Sequence, residues 1–198
     1  MLKVALTGGI ATGKSYVLDQ FRRRGVPCLD SDELAHGVMV AGSEATAAIA
    51  ARFGDVLAAD GSVDRQKLGS IVFADPVARR DLEAIVHPAV YRAIAAGLRA
   101  FQRLGDSELA VVDVPLLYET GHASEFNRVI ATVCSLEVQR ARLERRGLTP
   151  ESIDQRLAAQ LPAAEKAIRA DFVIRTDGHY EETEVQVERV LKALRENC

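Results

Sequence analysis

The sequence predicts an α/β fold in which a five-stranded parallel sheet is flanked by helices. Residues 2–7 form a short, mostly apolar run suited to a buried strand, and a glycine-rich turn and a helical pattern follow it. Four more apolar runs recur along the chain with helical stretches between them, an alternation typical of βαβ units. A length of 198 residues suits one such domain with insertions.

The first helix is predicted over residues 15–24, where one face is apolar. Gly25 is expected to end it, because glycine readily takes the left-handed angles found at helix C-termini. A closing helix over roughly residues 180–195 has an apolar stripe on one side and acidic residues on the other. The four later strands are predicted at residues 26–29, 109–114, 129–133 and 172–174.

A long insertion separates the second strand from the third. Residues 33–106 exceed what a simple crossover needs, and their apolar residues recur at helical spacing. Asp75-Pro76 and His87-Pro88 are expected to separate the helices. Open α/β sheets bind ligands beside the carboxyl ends of their strands, so we predict that this helical insertion binds the second substrate.

A second, basic insertion covers residues 137–168. Arg142, Arg145 and Arg146 are spaced to share one helix face, and Thr149 is expected to cap the next helix. A basic helix face is often only a solvated surface. Beside a site for phosphates, a lid that closes over a nucleotide is the favoured interpretation. The remaining core would comprise residues 1–32, 107–136 and 169–198.

Residues 8–15 read Gly-Gly-Ile-Ala-Thr-Gly-Lys-Ser and match the phosphate-loop pattern G-x-x-x-x-G-K-[ST] of P-loop NTPases at every fixed position. Lys14 would reach the β- and γ-phosphates, and the Ser15 hydroxyl would bind Mg²⁺. A glycine turn that merely joins strand to helix is the alternative. The predicted contacts of ATP in this region are Gly8, Gly9, Ile10, Ala11, Thr12, Gly13, Lys14, Ser15 and Tyr16.

Two guanine-nucleotide signals are missing from the sequence. Asp113, at the end of the third strand, is followed by Val-Pro-Leu instead of the D-x-x-G of a GTPase, and no N-K-x-D occurs. Asp113 would act as a Walker-B-like acid or would brace the phosphate loop. A small-molecule kinase is therefore favoured, either for a nucleoside or nucleotide or for a sugar. A non-catalytic ATP sensor is the alternative from another class.

The acceptor side of the site is predicted at Asp30-Ser31-Asp32, directly after the second strand. Residues two apart at a strand end can point to the same side, so both carboxylates could face the γ-phosphate. One would take or orient the proton of an acceptor hydroxyl, and the other would help to hold hydrated Mg²⁺. The alternative is an Asx turn in which Asp32 caps a helix that begins at Glu33.

Composition excludes several classes of function. The net charge of −3 argues against a general nucleic-acid binder, and no apolar stretch approaches the ~20 residues that span a bilayer. The three cysteines are scattered without C-x-x-C, which fits reduced thiols in a cytoplasm. We expect a cytoplasmic enzyme with no nucleic-acid, membrane or obligatory protein partner. The cysteines are Cys28, Cys134 and Cys198.

The chain resembles the dephospho-CoA kinase family almost from end to end. That resemblance implies that ATP phosphorylates the ribose 3′-hydroxyl of dephospho-CoA to give coenzyme A and ADP, with Mg²⁺ as cofactor. The segment at residues 113–119, Asp-Val-Pro-Leu-Leu-Tyr-Glu, is similar to the family's D-V-P-L-L-[FY]-E. The other matching segments are residues 6–10, 30–32, 52–54, 60–65, 87–88, 142–143 with Arg146, 156–160, Lys166 and 170–171.

Site roles follow from the resemblance. It implies that Asp32 is the base, Lys14 the phosphate clamp and Ser15 a metal ligand, with Asp30 as a second candidate ligand. Arg140 and Arg142 would stabilise the transferring phosphoryl group from the lid. The residues that would contact the acceptor are Asp30, Asp32, Arg65, His87, Leu116 and Glu119.

Three positions qualify these assignments. His87 has an alternative as a helix N-terminal residue ahead of Pro88. Tyr16 stands where a small residue is common after the phosphate-loop serine. The family usually has Asn where this chain has Thr176, so Thr176 is expected to contact the adenine with a shorter side chain.

Overall fold

The computed structural model describes residues 1–105 and 107–196; Asp106, Asn197 and Cys198 lie outside the described residues. The strands are β1 (Leu2–Gly8), β2 (Cys28–Asp30), β3 (Leu109–Asp113), β4 (Arg128–Val133) and β5 (Phe172–Arg175). The helices are α1 (Lys14–Arg23), α2 (Ser31–Val38), α3 (Glu44–Phe53), α4 (Arg65–Ala74), α5 (Pro76–Leu104), α6 (Leu136–Arg145), α7 (Pro150–Ala158), α8 (Ala163–Arg169) and α9 (Tyr180–Arg195), with a short 3₁₀ turn at Ala123–Glu125.

As the sequence predicts, the five strands form one parallel sheet. Their order in the sheet is β2-β3-β1-β4-β5. β1 lies at its centre, where Leu2 is in register with Leu109 of β3 and Val4 with Arg128 of β4. β1, β3 and β4 are almost wholly buried, which suits the apolar runs that predicted them. The central strand therefore ends at Gly8, where the glycine-rich loop begins.

The chain divides into two compact units. The first comprises Met1–Leu29 and the described part of Ala100–Cys198, and the second comprises Asp30–Arg99. In the first unit, the sheet packs against α1 and α9 through Leu6, Phe21 and Leu191. The predicted lid, residues 137–168, falls within this unit. The second unit is helical, as predicted, and has its own core; its buried members are Ile49, Val56, Val63 and Leu68.

One predicted helix break is wrong. A helix does end before Asp75-Pro76, but α5 continues through Pro88. Proline removes one backbone hydrogen bond from a helix interior, and here buried residues on the following turn, Ala89 and Val90, keep the helix packed. His87 therefore lies inside a helix and not at a helix N-terminus.

Helix ends follow the sequence more closely. Gly25 has a φ of 75° and follows the C-cap of α1, as predicted. Thr149 caps α7, its hydroxyl accepting a hydrogen bond from the Ser152 amide, and Pro150 opens that helix. Among the described residues, no helix is both long and apolar enough to cross a membrane.

Candidate active site

The phosphate loop runs from Gly8, the last residue of β1, to Lys14, the first residue of α1. Gly13 takes a φ of 81°, and Ala11 is in the same left-handed region with a φ of 59°. Because Gly13 is the N-cap, no side chain satisfies the first N–H groups of α1. Those N–H groups and the positive end of the helix dipole are suited to bind an anion.

Buried threonine hydroxyls of the loop and of β4 hold the phosphate loop in place. The hydroxyls of Thr12 and Thr132 lie 2.7 Å apart, and that of Thr12 also donates to the Gly9 carbonyl at 2.8 Å. A Cβ added to Gly8 would overlap the Thr132 hydroxyl and would lie 2.6 Å from that of Thr12. Sequence reasoning missed Thr132, although a polar residue inside the apolar run of β4 was a signal for it.

Lys14 and Asp113 form a nearly buried ion pair. The Lys14 ammonium lies 2.5 Å from one oxygen of Asp113, the last residue of β3, and the two side chains are only 13% and 3% exposed. Ser15 follows Lys14 in the first turn of α1 and is exposed. The loop therefore carries a cation held at a defined place and an exposed hydroxyl next to it.

Arg142 binds the loop and the segment after β5. Its guanidinium donates to the carbonyl of Ala11 at 3.0 Å and to that of Thr176 at 2.6 Å. The Thr176 hydroxyl donates in turn to the Thr12 carbonyl at 2.8 Å. Burial raises the pKa of the neighbouring Cys134 thiol, and the charge of Arg142 opposes that rise. Arg142 and Thr176 thus lie together against the phosphate loop.

Arg140 is placed differently from Arg142. Its guanidinium forms an ion pair with Asp154 of α7, which joins two helices of the predicted lid. Tyr16 contacts α9: its hydroxyl donates to Glu184 at 2.6 Å, and its ring packs at a tilt against that of Tyr180. Burial and then Glu184 raise the pKa of Tyr16 to about 12.

The segment after β3 carries two predicted acceptor contacts, Leu116 and Glu119. Leu116 is half-buried. Glu119 accepts a hydrogen bond from the Leu161 amide at 2.9 Å and pairs with the Lys166 ammonium at 2.7 Å. Lys166 is completely buried, although it received no role from the sequence. A single lysine in a short helix with other charged residues gives no sign that it will be buried.

The other predicted acceptor residues belong to the second unit. Asp30 caps α2, and its Oδ1 accepts hydrogen bonds from the amides of Asp32 and Glu33 at 2.8 and 3.3 Å. The alternative in which Asp32 caps a helix that begins at Glu33 is therefore wrong. α2 begins at Ser31 because Asp30 ends the strand and caps the helix at once. Arg65 is exposed at the start of α4, and His87 is half-buried within α5.

Comparisons with known proteins identify relatives of this chain. The sequence profile of the dephospho-CoA kinase family matches residues 2–182. The dephospho-CoA kinase of Anaeromyxobacter dehalogenans is 47% identical over 98% of this chain and 93% of its own length. That of Geobacillus kaustophilus is 44% identical over 96% of each chain. A crystal structure of a Thermus thermophilus protein superposes with a TM-score of 0.80 at 32% identity, covering 99% of this chain and 97% of the other.

Proposed function

The chain belongs to the dephospho-CoA kinase family, and from that premise we propose a catalytic or binding role for each residue of the site. The enzyme uses ATP to phosphorylate the ribose 3′-hydroxyl of dephospho-CoA, which gives coenzyme A and ADP in the final step of coenzyme A biosynthesis. The fold is that of a P-loop kinase, and the reaction is a phosphoryl transfer to an alcohol group.

Lys14 is proposed as the phosphate clamp, and its ion pair with Asp113 is the observation that carries this proposal. The pair places an ammonium at the N-terminus of α1, whose first N–H groups are available to the phosphates. When ATP binds, the Lys14 ammonium leaves the Asp113 carboxylate and contacts the β- and γ-phosphates instead. Before ATP binds, Asp113 thus holds the Lys14 side chain in a conformation close to the one that contacts the phosphates.

We propose that Ser15 and Asp30 hold Mg²⁺. A hydroxyl and a carboxylate are oxygen ligands of the kind that Mg²⁺ prefers, and Ser15 is exposed at the head of α1. The Oδ1 atom of Asp30 is engaged by two amides, so Oδ2 is the oxygen offered to the metal. When held by these residues, the ion would offset the negative charge of the phosphates.

Asp32 is proposed as the base that takes the proton of the 3′-hydroxyl. It is exposed in the first turn of α2, which begins directly after β2. Arg140 and Arg142 are proposed to offset the charge of the transferring phosphoryl group. Arg142 already contacts the loop, whereas Arg140 must first leave Asp154.

The remaining assignments rest on the family resemblance. We propose that Arg65, His87, Leu116 and Glu119 border the acceptor and that Thr176 lies beside the adenine. The proposed nucleotide core comprises residues 1–32, 107–136 and 169–198, and the proposed acceptor and lid regions comprise residues 33–106 and 137–168. A cytoplasmic location is proposed from the free thiols of Cys28 and Cys134.

One experiment tests the reaction and its base together. Wild type and Asp32→Asn are incubated with ATP, Mg²⁺ and either dephospho-CoA or adenosine, and ADP and coenzyme A are measured. We expect coenzyme A from wild type, little product from adenosine, and no product once EDTA removes Mg²⁺. Asp32→Asn should bind both substrates in calorimetry but lose about 10²-fold or more in kcat.

Each contrary result has a defined meaning. Free phosphate from wild type without coenzyme A would refute kinase activity towards dephospho-CoA. Equal use of adenosine would indicate a general nucleoside kinase. Near-normal turnover by Asp32→Asn would remove Asp32 from the chemistry and leave it as a residue of the first turn of α2.

A further inference from the structure

Lys166, in α8, has a completely buried side chain in an enzyme whose other proposed cations are partly exposed. Its ammonium lies 2.7 Å from the Glu119 carboxylate, 2.7 Å from the Pro115 carbonyl and 3.5 Å from the Gly8 carbonyl. An ammonium has three N–H donors, and three acceptors face it here. The charge is thus enclosed but satisfied, as a buried lysine requires.

These contacts join three parts of the site. Gly8 opens the phosphate loop, residues 115–119 follow β3, and α8 leads from the predicted lid back to the sheet. The Glu119 carboxylate strengthens the link, because it also accepts the Leu161 amide just before α8. A Cβ on Gly9 would lie 3.2 Å from that of Ala163, so the start of α8 also packs directly on the loop.

Glu119 compensates the cost of burying Lys166. Burial lowers the pKa of the Lys166 ammonium, the charge of Lys14 lowers it further, and Glu119 opposes both effects. The Glu119 side chain is 19% exposed, whereas Lys166 has no exposure. Removing the carboxylate would leave the ammonium buried and short of its counter-charge, whereas removing the lysine would leave a carboxylate that water can reach.

We propose that Lys166 is a positioning residue for the phosphoryl transfer and that Glu119 serves the reaction by holding Lys166, not by contacting dephospho-CoA. The lysine fixes the position of the Gly8 carbonyl relative to residues 115–119. It thereby fixes the position of the phosphate loop relative to the end of β3, where Asp113 lies. This inference rests on the proposed function and revises one part of it, the acceptor role of Glu119.

A double-mutant cycle tests the proposal. Glu119→Gln, Lys166→Met and the double variant are compared with wild type for kcat and for KM with each substrate. Each single variant should lose about 10- to 100-fold in kcat, because small displacements of positioning groups cost that much. The KM for dephospho-CoA should stay within about threefold of wild type. The double variant should be no worse than Lys166→Met alone, because the two residues act through one contact.

An exposed pair at the C-terminal end of α9, where Glu196 is the C-cap, supplies the matched control. Lys192 and Glu196 are 79% and 64% exposed and 3.9 Å apart, so Lys192→Met and Glu196→Gln should leave kcat at the wild-type value. Circular dichroism checks the fold of every variant, and Glu119→Gln keeps the test open if Lys166→Met does not fold, because the amide retains shape and an acceptor oxygen.

Three outcomes would overturn the proposal. A raised KM for dephospho-CoA with unchanged kcat in Glu119→Gln would make Glu119 a direct acceptor contact. Losses that multiply in the double variant would show that the two residues act independently. Reduced stability with unchanged kcat would limit the pair to folding. Failure of the proposed function would look different, since wild type itself would then form no coenzyme A.

Discussion

Replacing Lys14 by methionine should lower both activity and stability, and a second substitution should restore stability alone. Lys14→Met keeps an unbranched side chain that is one atom shorter, but it leaves the 3%-exposed Asp113 carboxylate without the ammonium that lies 2.5 Å from it. Breaking a buried pair from one side costs about 3–5 kcal/mol. With an m value of ~2 kcal/mol per M urea, the unfolding midpoint should fall by about 1.5–2.5 M.

The second substitution separates the two effects. In Lys14→Met/Asp113→Asn no carboxylate is left buried, so most of the lost stability should return. The phosphate clamp is still missing, so kcat should remain at least ~10²-fold below wild type. Urea unfolding followed by circular dichroism measures the first quantity, and a coupled ADP assay measures the second. Lys192→Met, at an exposed site on α9, is the control and should change neither.

Either of two results would refute this reasoning. An unchanged urea midpoint for Lys14→Met would show that the pair with Asp113 does not stabilise the fold. Recovery of turnover in the double variant would show that the reaction does not need the Lys14 ammonium, and the assignment of the phosphate clamp would fail with it.

Substitutions at the lid and the loop give two more tests. Arg140→Ala should lower kcat by up to ~10³-fold with little change in the KM for ATP. Arg142→Ala should also raise that KM, because Arg142 holds Ala11 and Thr176. Wild-type kinetics in both variants would show that neither guanidinium stabilises the transferring phosphoryl group. Gly8→Ala should cost about 1–3 kcal/mol in thermal unfolding, since its Cβ would overlap the Thr132 hydroxyl, and Thr132→Ala should recover part of that; an unchanged Tm would contradict the crowding.

Sequence patterns predicted the features that depend on residues close together in the chain. The strand, glycine loop and helix at residues 2–24 could be placed because the phosphate-loop pattern fixes residue types at fixed spacing. The Asp30 cap was missed because Asp30 and Asp32 are both good capping residues, and only the start of the helix decides between them. The predicted helix break at Pro88 is wrong because packing of the next turn outweighs the one backbone hydrogen bond that proline removes.

Contacts between distant segments could not be predicted from the sequence in this way. Lys166 meets Gly8 across 158 positions and Pro115 across 51, and nothing near Lys166 in the chain indicates either partner. Thr132 and Thr12 are 120 positions apart. Such contacts depend on the order of strands in the sheet, which periodicity within a segment does not encode.

The central place of β1 has a consequence for synthesis on the ribosome. The phosphate loop is translated before both neighbours of β1 in the sheet, which are β3 and β4 and begin at Leu109 and Arg128. A nascent chain that has reached only α5 therefore has no strand beside β1, and such non-local pairing forms slowly. Lys166, which satisfies the Gly8 carbonyl, emerges later still. The nucleotide site can thus be completed only after α8 has been translated.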